Sequence, residues 1–278
     1  MRVPREVLFK IISYLVPEGC IVSSSDVGVK TLLSFTLVCW ATYSEATRYL
    51  FDRCVYIDSS ARLEKLLDHN VDWDKVKSVY LAPFDNGVLE LDVAKQVYQL
   101  FSSIPHVRQL VIDMPLRSLY PEEDVQGIRP ILREAFEMLC SVEALTSVRD
   151  ELYLDTAVDG WTVWSKWTNL RRLCLYNANV DVEFWSDVQK LKSLDTLVLV
   201  RPDGIFEVND FAPPTLIERA FRIIHVDVHE EAIEIALLRS VLGESTPVES
   251  RIVQYEEDEI TECQLWTKAK ALNGSLWI

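Results

Sequence analysis

Glycine is scarce in this chain of 278 residues: there are 8, and no two lie within three residues of each other. That scatter excludes the clustered glycines whose backbone N–H groups cradle phosphates. No G-x-G-x-x-G, Walker or G-x-S-x-G segment occurs, so no nucleotide loop and no nucleophile elbow is expected. Cysteine is sparse and unpaired, at positions 20, 39, 54, 140, 174 and 263. The spacing predicts free, buried thiols in a reducing compartment rather than a disulfide framework or a C-x-x-C zinc site. Long apolar runs are missing as well. No stretch approaches the ~20 residues of a membrane helix. Arg5, Glu6 and Lys10 interrupt the only apolar stretch near the N-terminus, so no secretory signal is expected. Asn273-Gly274-Ser275 matches a glycosylation sequon, taken as chance on the same ground. Basic charge is also short, with 28 Lys+Arg against 43 Asp+Glu and a net charge of −15. An acidic body disfavours nucleic acid and anionic membranes as partners. The expected location is the cytoplasm, the nucleus or both.

What the chain does have is apolar periodicity. Hydrophobic residues make up 49%, enough for a sizeable core, and the length suggests about two domains. Residues 3–15 read as a helix with its start signal. Pro4 suits the first turn, where a missing N–H costs nothing. Glu6 complements the helix N-terminus. Val7, Leu8, Ile11, Ile12 and Leu15 form one stripe at helical spacing. Two more short apolar helices are expected before residue 58. A segment that small does not bury three apolar helices by itself, so it shares surface with the rest of the chain or with a partner. Residues 1–58 are charge-balanced, with six basic and six acidic side chains, so the acidic excess lies in the remainder.

The remainder repeats an i, i+3, i+5 apolar pattern. It fits Val76/Val79/Leu81, Val107/Leu110/Ile112, Leu170/Leu173/Leu175, Leu194/Leu197/Leu199 and Phe221/Ile224/Val226. This is the L-x-x-L-x-L strand pattern of leucine-rich repeats. The middle residues are 31, 63, 24 and 27 apart, and the long gap predicts a hidden copy at Glu151–Leu154. Further strands are expected at Cys54–Ile57 and Ile252–Tyr255. Helical patterns separate them at Leu91–Phe101, Val125–Leu139, Val182–Leu191 and Glu230–Leu242, and Ser59 or Ser60 caps one that runs to Leu67. Strand alternating with helix predicts an α/β fold: parallel strands with helical crossovers, read most simply as a solenoid. The predicted division is 1–58 for the helical unit and 59–278 for the repeat body, joined without a linker.

The N-terminal residues also resemble the F-box family. Val3-Pro4-Arg5-Glu6-Val7-Leu8, with Ile11, Ile12, Tyr14 and Leu15, is similar to the family's first helix. Leu37-Val38-Cys39 looks like its L-V-[CS] step, and Ala46–Val55 is similar to its closing segment. The loop from Val16 to Lys30 is longer than usual, and Trp40 stands where a basic residue is common. The resemblance covers about 55 residues. It implies a three-helix unit that docks the Skp adaptor of a cullin-scaffolded ubiquitin ligase. Pro4, Val7, Leu8, Ile11, Ile12, Leu15, Leu37 and Val38 then form the adaptor-facing or domain-forming set.

Several residues have both a functional and a structural reading. His225, Asp227 and His229 share one face of a strand and could converge on a metal; lining the polar side of that strand is the favoured reading. Trp161, Trp164 and Trp167 could form an aromatic cage; packing on the core is favoured. Glu256–Glu259 with Glu262 reads as a solvated helix start. No catalytic group, metal or cofactor is expected. A protein substrate is expected on the open sheet face, where Tyr80, Val111, Cys174, Tyr176 and Val198 alternate with the core positions. Tyr176, Asn177, Arg201 and Asp203 are its candidate contacts. The alternative is that the C-terminal segment from Glu244 onward folds across this face and hides them. The expectation is a non-catalytic adaptor that recruits a protein substrate. The alternative is an interaction scaffold that uses its first helices only to pack on its own body.

Overall fold

The computed structural model describes residues 4–69, 71–156, 162–203, 221–229, 236, 238, 247–256 and 258–278. Eight strands form one sheet: β1 Val55–Ile57, β2 Ser78–Leu81, β3 Gln109–Ile112, β4 Ala144–Ser147, β5 Arg172–Tyr176, β6 Thr196–Val200, β7 Arg222–Asp227 and β8 Val248–Ile252. They lie in sequence order and every pair is parallel. Parallel neighbours need crossovers. These include the helices α4 Ser60–Asp68, α5 Leu91–Ser103, α6 Ile128–Glu137 and α7 Val182–Lys190. The chain begins with α1 Arg5–Tyr14, α2 Val27–Phe35 and α3 Trp40–Arg53, and its last helix is α8 Glu259–Leu272.

One row of side chains holds the sheet to its crossover helices. Val55, Val79, Leu110, Leu145, Leu173, Leu197, Ile223 and Val248 sit in register across all eight strands. All eight belong to one core, with Leu63 of α4, Val97 of α5, Leu132 of α6 and Trp185 of α7. Burial of each such side chain contributes roughly 1.5–3 kcal/mol.

Three predicted strands are displaced. The hidden copy is β4, with Val142 and Leu145 buried, not Glu151–Leu154. Ser147 fills the third apolar slot there, which hides the pattern. Residues 151–154 form a loop in which Leu152 has φ 65°. In β7 the phase slips by one residue: Ile223 pairs with Leu197. Ile224 and Val226 therefore point to the opposite face, as the period of two requires. The last strand starts four residues earlier than expected, at Val248. The predicted helix over Glu230–Leu242 falls almost entirely outside the described residues.

The helix starts follow local chemistry. The Ser59 hydroxyl accepts from the Arg62 N–H at 3.3 Å and caps α4. The Asp124 carboxylate accepts from the N–H groups of Ile128 and Arg129, at 2.9 and 2.8 Å, and opens α6. Asp258 caps α8 through the Ile260 N–H at 3.0 Å, so the helix start expected in the acidic run lies at Asp258 and Glu259.

The second face of the sheet is covered. Tyr80, Val111, Cys174, Tyr176, Val198, Ile224 and Val226 pack with Cys263, Ala271 and Leu276 from α8 and the turn after it. Both faces of the sheet are thus buried, which is the usual condition of an all-parallel sheet. The long loop between α1 and α2 joins this layer. The Ile21 N–H donates to the Leu272 carbonyl at 2.8 Å, and the Val22 N–H to the Arg53 carbonyl at 2.9 Å. The extra loop length therefore ties the first helices to the last one. Among the described residues, no helix is long and apolar enough to cross a membrane.

Candidate functional site

The three N-terminal helices have a small core of their own. Ile12, Val16, Leu32, Ala46 and Tyr49 are its buried members, with Phe9, Leu15, Phe35 and Leu50 packed at the edge. Gly28 permits the tight crossing of α2 on α1, since a Cβ there would lie 2.3 Å from the Leu15 carbonyl oxygen. Arg53 closes the unit by donating to the Val16 carbonyl at 2.9 Å, and its guanidinium lies 5.2 Å from the Tyr49 ring centre.

The same helices leave much apolar surface uncovered. On α1, Val7 is 46%, Ile11 44% and Tyr14 73% exposed. At the turn from α2 to α3, Leu37 is 87%, Val38 66% and Trp40 80% exposed. Trp40 stacks on Tyr43 with ring centres 5.6 Å apart. That turn is held from within: the Cys39 N–H donates to the Thr42 hydroxyl at 3.1 Å, and this hydroxyl donates back to the Cys39 carbonyl at 3.0 Å. The hydrogen bond between Thr42 and the exposed Cys39 thiol pulls the thiol pKa below its ordinary value.

The set of eight residues from the sequence therefore divides. Pro4, Val7, Ile11, Leu37 and Val38 are exposed, and Leu8 and Leu15 are half-buried. Ile12 is fully buried and belongs to the interior of the unit, not to its outer surface. An i, i+4 stripe cannot say which of its members faces inward. Tyr14 and Trp40, which flank the stripe and the turn, join the outer surface.

The candidate substrate contacts on the sheet are placed differently from the expectation. Tyr176 is only 5% exposed, beneath α8, and burial raises its phenol pKa to about 12. Tyr80, Val111, Cys174 and Val198 are likewise buried. Arg201 donates to Glu259 of α8 at 2.9 Å and lies 3.9 Å from Asp227. Its role is to anchor the covering helix. The Asn177 amide donates to Asp203 at 2.8 Å, with Asn177 at φ 51°. These two residues form a turn at the strand ends, and Asp203 is exposed.

A second anchor lies at the middle of α8. Lys268 contacts Asp113 at 3.1 Å, and Asp113 also accepts from the Tyr80 hydroxyl at 2.9 Å and from Arg149. Burial opposes ionisation of Asp113, but Arg149 and Lys268 outweigh it and hold the carboxyl below its ordinary pKa. No sequence signal pairs residues 155 positions apart, so this network was not legible beforehand.

The remaining candidates resolve as structural. Trp164 and Trp167 are buried in the main core, while Trp161 lies outside the described residues. His225 is buried in the sheet, whereas His229 packs against Tyr255 with ring centres 5.9 Å apart. Among the described residues, no group of three or more His, Cys, Asp or Glu is placed to hold a metal ion. A scan against protein-family models finds no match to this chain, and a search of curated proteins finds none either.

Proposed function

We propose that this chain is a substrate-recognition adaptor of a Skp–cullin–F-box ubiquitin ligase. In this reading residues 1–58 are an F-box that docks the Skp adaptor. The parallel-sheet body is a leucine-rich-repeat-like solenoid that presents a protein substrate. The protein performs no chemistry itself. It raises the effective concentration of a target lysine near a charged conjugating enzyme held by the cullin scaffold.

The observation that carries this reading is the exposure of Val7, Ile11, Leu37, Val38 and Trp40 on a unit that already has its own core. A scaffold that used these helices only to pack on its own body would bury them. Large apolar groups gathered on one part of a monomer mark an interaction site. Covering them would contribute up to ~1.5–3 kcal/mol each. The parallel strands in sequence order, one after each crossover, support the repeat reading of the body. The Ile21–Leu272 hydrogen bond supports a rigid joint between the two parts.

The test is co-elution of the purified chain with the Skp adaptor in gel filtration. Wild type should elute as a 1:1 complex. The exposed-site double variant Ile11→Asp, Leu37→Asp should elute alone with an unchanged circular dichroism spectrum. Failure of the wild type to co-elute would leave the scaffold reading in its place.

A further inference from the structure

β8 is the last strand in the sheet order, and among the described residues no strand pairs with its outer side. The direction of its backbone groups follows from its pairing with β7. The Ile223 N–H donates to the Pro247 carbonyl at 2.9 Å, and the Val253 N–H to the Asp227 carbonyl at 2.8 Å. Ile223 registers with Val248 and His225 with Ser250. Residues of a paired strand turn their backbone groups alternately to one side and the other. Glu249 and Arg251 therefore bond to β7, and Ser250 and Ile252 turn their N–H and C=O groups outward. Such an edge is a template for a further strand.

Charged side chains on an edge usually keep a second edge away. The order of charges in β8 does the reverse. The strand reads Val248-Glu249-Ser250-Arg251-Ile252. Laid antiparallel on a second copy about a two-fold axis at Ser250, it sets Glu249 opposite the partner's Arg251, and Arg251 opposite the partner's Glu249. Val248 and Ile252 meet in the same reciprocal way. Opposite charges directly across an antiparallel pair stabilise it. Ser250, with both backbone groups outward, bonds to its own copy on the axis. Sliding the pair to the next matching register sets Glu249 against Glu249, or Arg251 against Arg251, so the charges select one alignment. Both side chains already have partners. The Glu249 carboxylate accepts from Arg222 at 2.8 and 2.7 Å. Arg251 donates to the Leu276 carbonyl at 3.2 Å and to the Ile278 carbonyl. A carboxylate and a guanidinium each have more sites than these bonds use. Apolar surface flanks them, with Ile252 52% and Ile278 81% exposed.

We propose that two copies of this chain join through their β8 edges, antiparallel about Ser250, so that the two sheets become one. The contact is isologous and closes at a dimer, because each copy spends its β8 edge on the other. β8 lies at the opposite end of the sheet from β1, the strand that follows the N-terminal helices directly. The dimer therefore leaves the outer surface of those helices free and carries one N-terminal unit at each end. The assignment is independent of any ligase partner.

The test is sedimentation equilibrium of the full chain. Wild type should show a concentration-dependent equilibrium between the 32.0 kDa chain and its dimer. Ser250→Pro removes the N–H on the axis, at an outward-facing edge position where proline is tolerated. It deletes two symmetry-related hydrogen bonds and should raise the dimer Kd about tenfold or more, with an unchanged circular dichroism spectrum. Glu249→Arg and Arg251→Glu should each be monomeric alone, since each sets like charges opposite one another. Mixed in equal amounts, these two variants should form a heterodimer, because each supplies the charge that the other lacks. That rescue decides the matter if Ser250→Pro misfolds, and a merely structural role for either side chain would not produce it. The proposal is overturned by a wild type that stays monomeric at about 100 μM, by a dimer that survives Ser250→Pro, by either charge variant dimerising alone as wild type does, or by a mixture that remains monomeric.

Discussion

The first 54 residues and the sheet body spend apolar side chains in opposite ways. Residues 4–54 bury five in a core of their own. They expose nine large ones, half of the eighteen exposed large apolar side chains among the described residues. The body buries a continuous row across eight strands and covers its second face with α8. Both regions are similarly apolar in sequence, so composition does not separate them. The difference lies in cover: each strand row has helices over it, while among the described residues nothing covers the outer side of α1 and the α2–α3 turn. A large uncovered apolar surface on a folded unit is the usual mark of an interaction site. A covered one is where stability resides.

Substitutions at matched sites in the two regions give the largest contrast. Leu173→Ala removes a fully buried member of the row and should cost roughly 2–5 kcal/mol in urea unfolding. Leu37→Ala, at a site 87% exposed, should stay within about 0.5 kcal/mol. Equal costs would erase the contrast between the regions. The same division runs through a single helix. Ile12→Ala should lower stability by ~2–5 kcal/mol, while its neighbour Ile11→Ala, half-exposed, should change stability little and adaptor binding strongly. A stable Ile12 variant that loses the adaptor would reverse the assignment of the two faces.

A pH profile sharpens the comparison from the body's side. Asp150 is fully buried in the turn after β4, and burial with the adjacent Glu151 raises its pKa to about 7. Its carboxylate accepts from the Leu152 and Tyr153 N–H groups at 2.8 and 3.3 Å, which only partly offsets that cost. The folded pKa lies above the unfolded value near 3.9, so the fold binds the proton more tightly. The contribution to stability is full below about pH 4 and is lost as pH rises to 7. Asp150→Asn keeps the acceptor and should flatten this slope, most visibly in thermal melts between pH 4 and 7. An unchanged slope would show that another group carries it. A smaller effect is expected at a cap: Ser59→Ala removes the Arg62 N–H acceptor and should cost about 1 kcal/mol.

How much was legible follows from which residues carry a periodic signal. The α/β class, the parallel strands and most crossover helices were legible because Leu110, Leu173 and Leu197 repeat on a strand–helix phase. β4 was not, because Ser147 occupies an apolar slot and satisfies itself through Asp150 at 3.4 Å. The slip in β7 was hidden because Ile223, Ile224 and Val226 are all apolar and both faces are buried, so alternation carries no direction. On the N-terminal unit the stripe was legible but not its sidedness, which depends on where α2 and α3 pack. The cover over Tyr176 was the hardest to read. α8 is held by Arg201–Glu259 and Lys268–Asp113, pairs far apart in sequence that no local pattern announces.

The central claim is that the uncovered surface of the first helices is the partner site. Hydrogen exchange of the full chain, with and without the Skp adaptor, tests it most directly. The account predicts added protection of backbone amides in residues 5–15 and 33–44, with strands β2 to β6 unchanged. Protection confined to the body, or none anywhere at saturating adaptor, would contradict it.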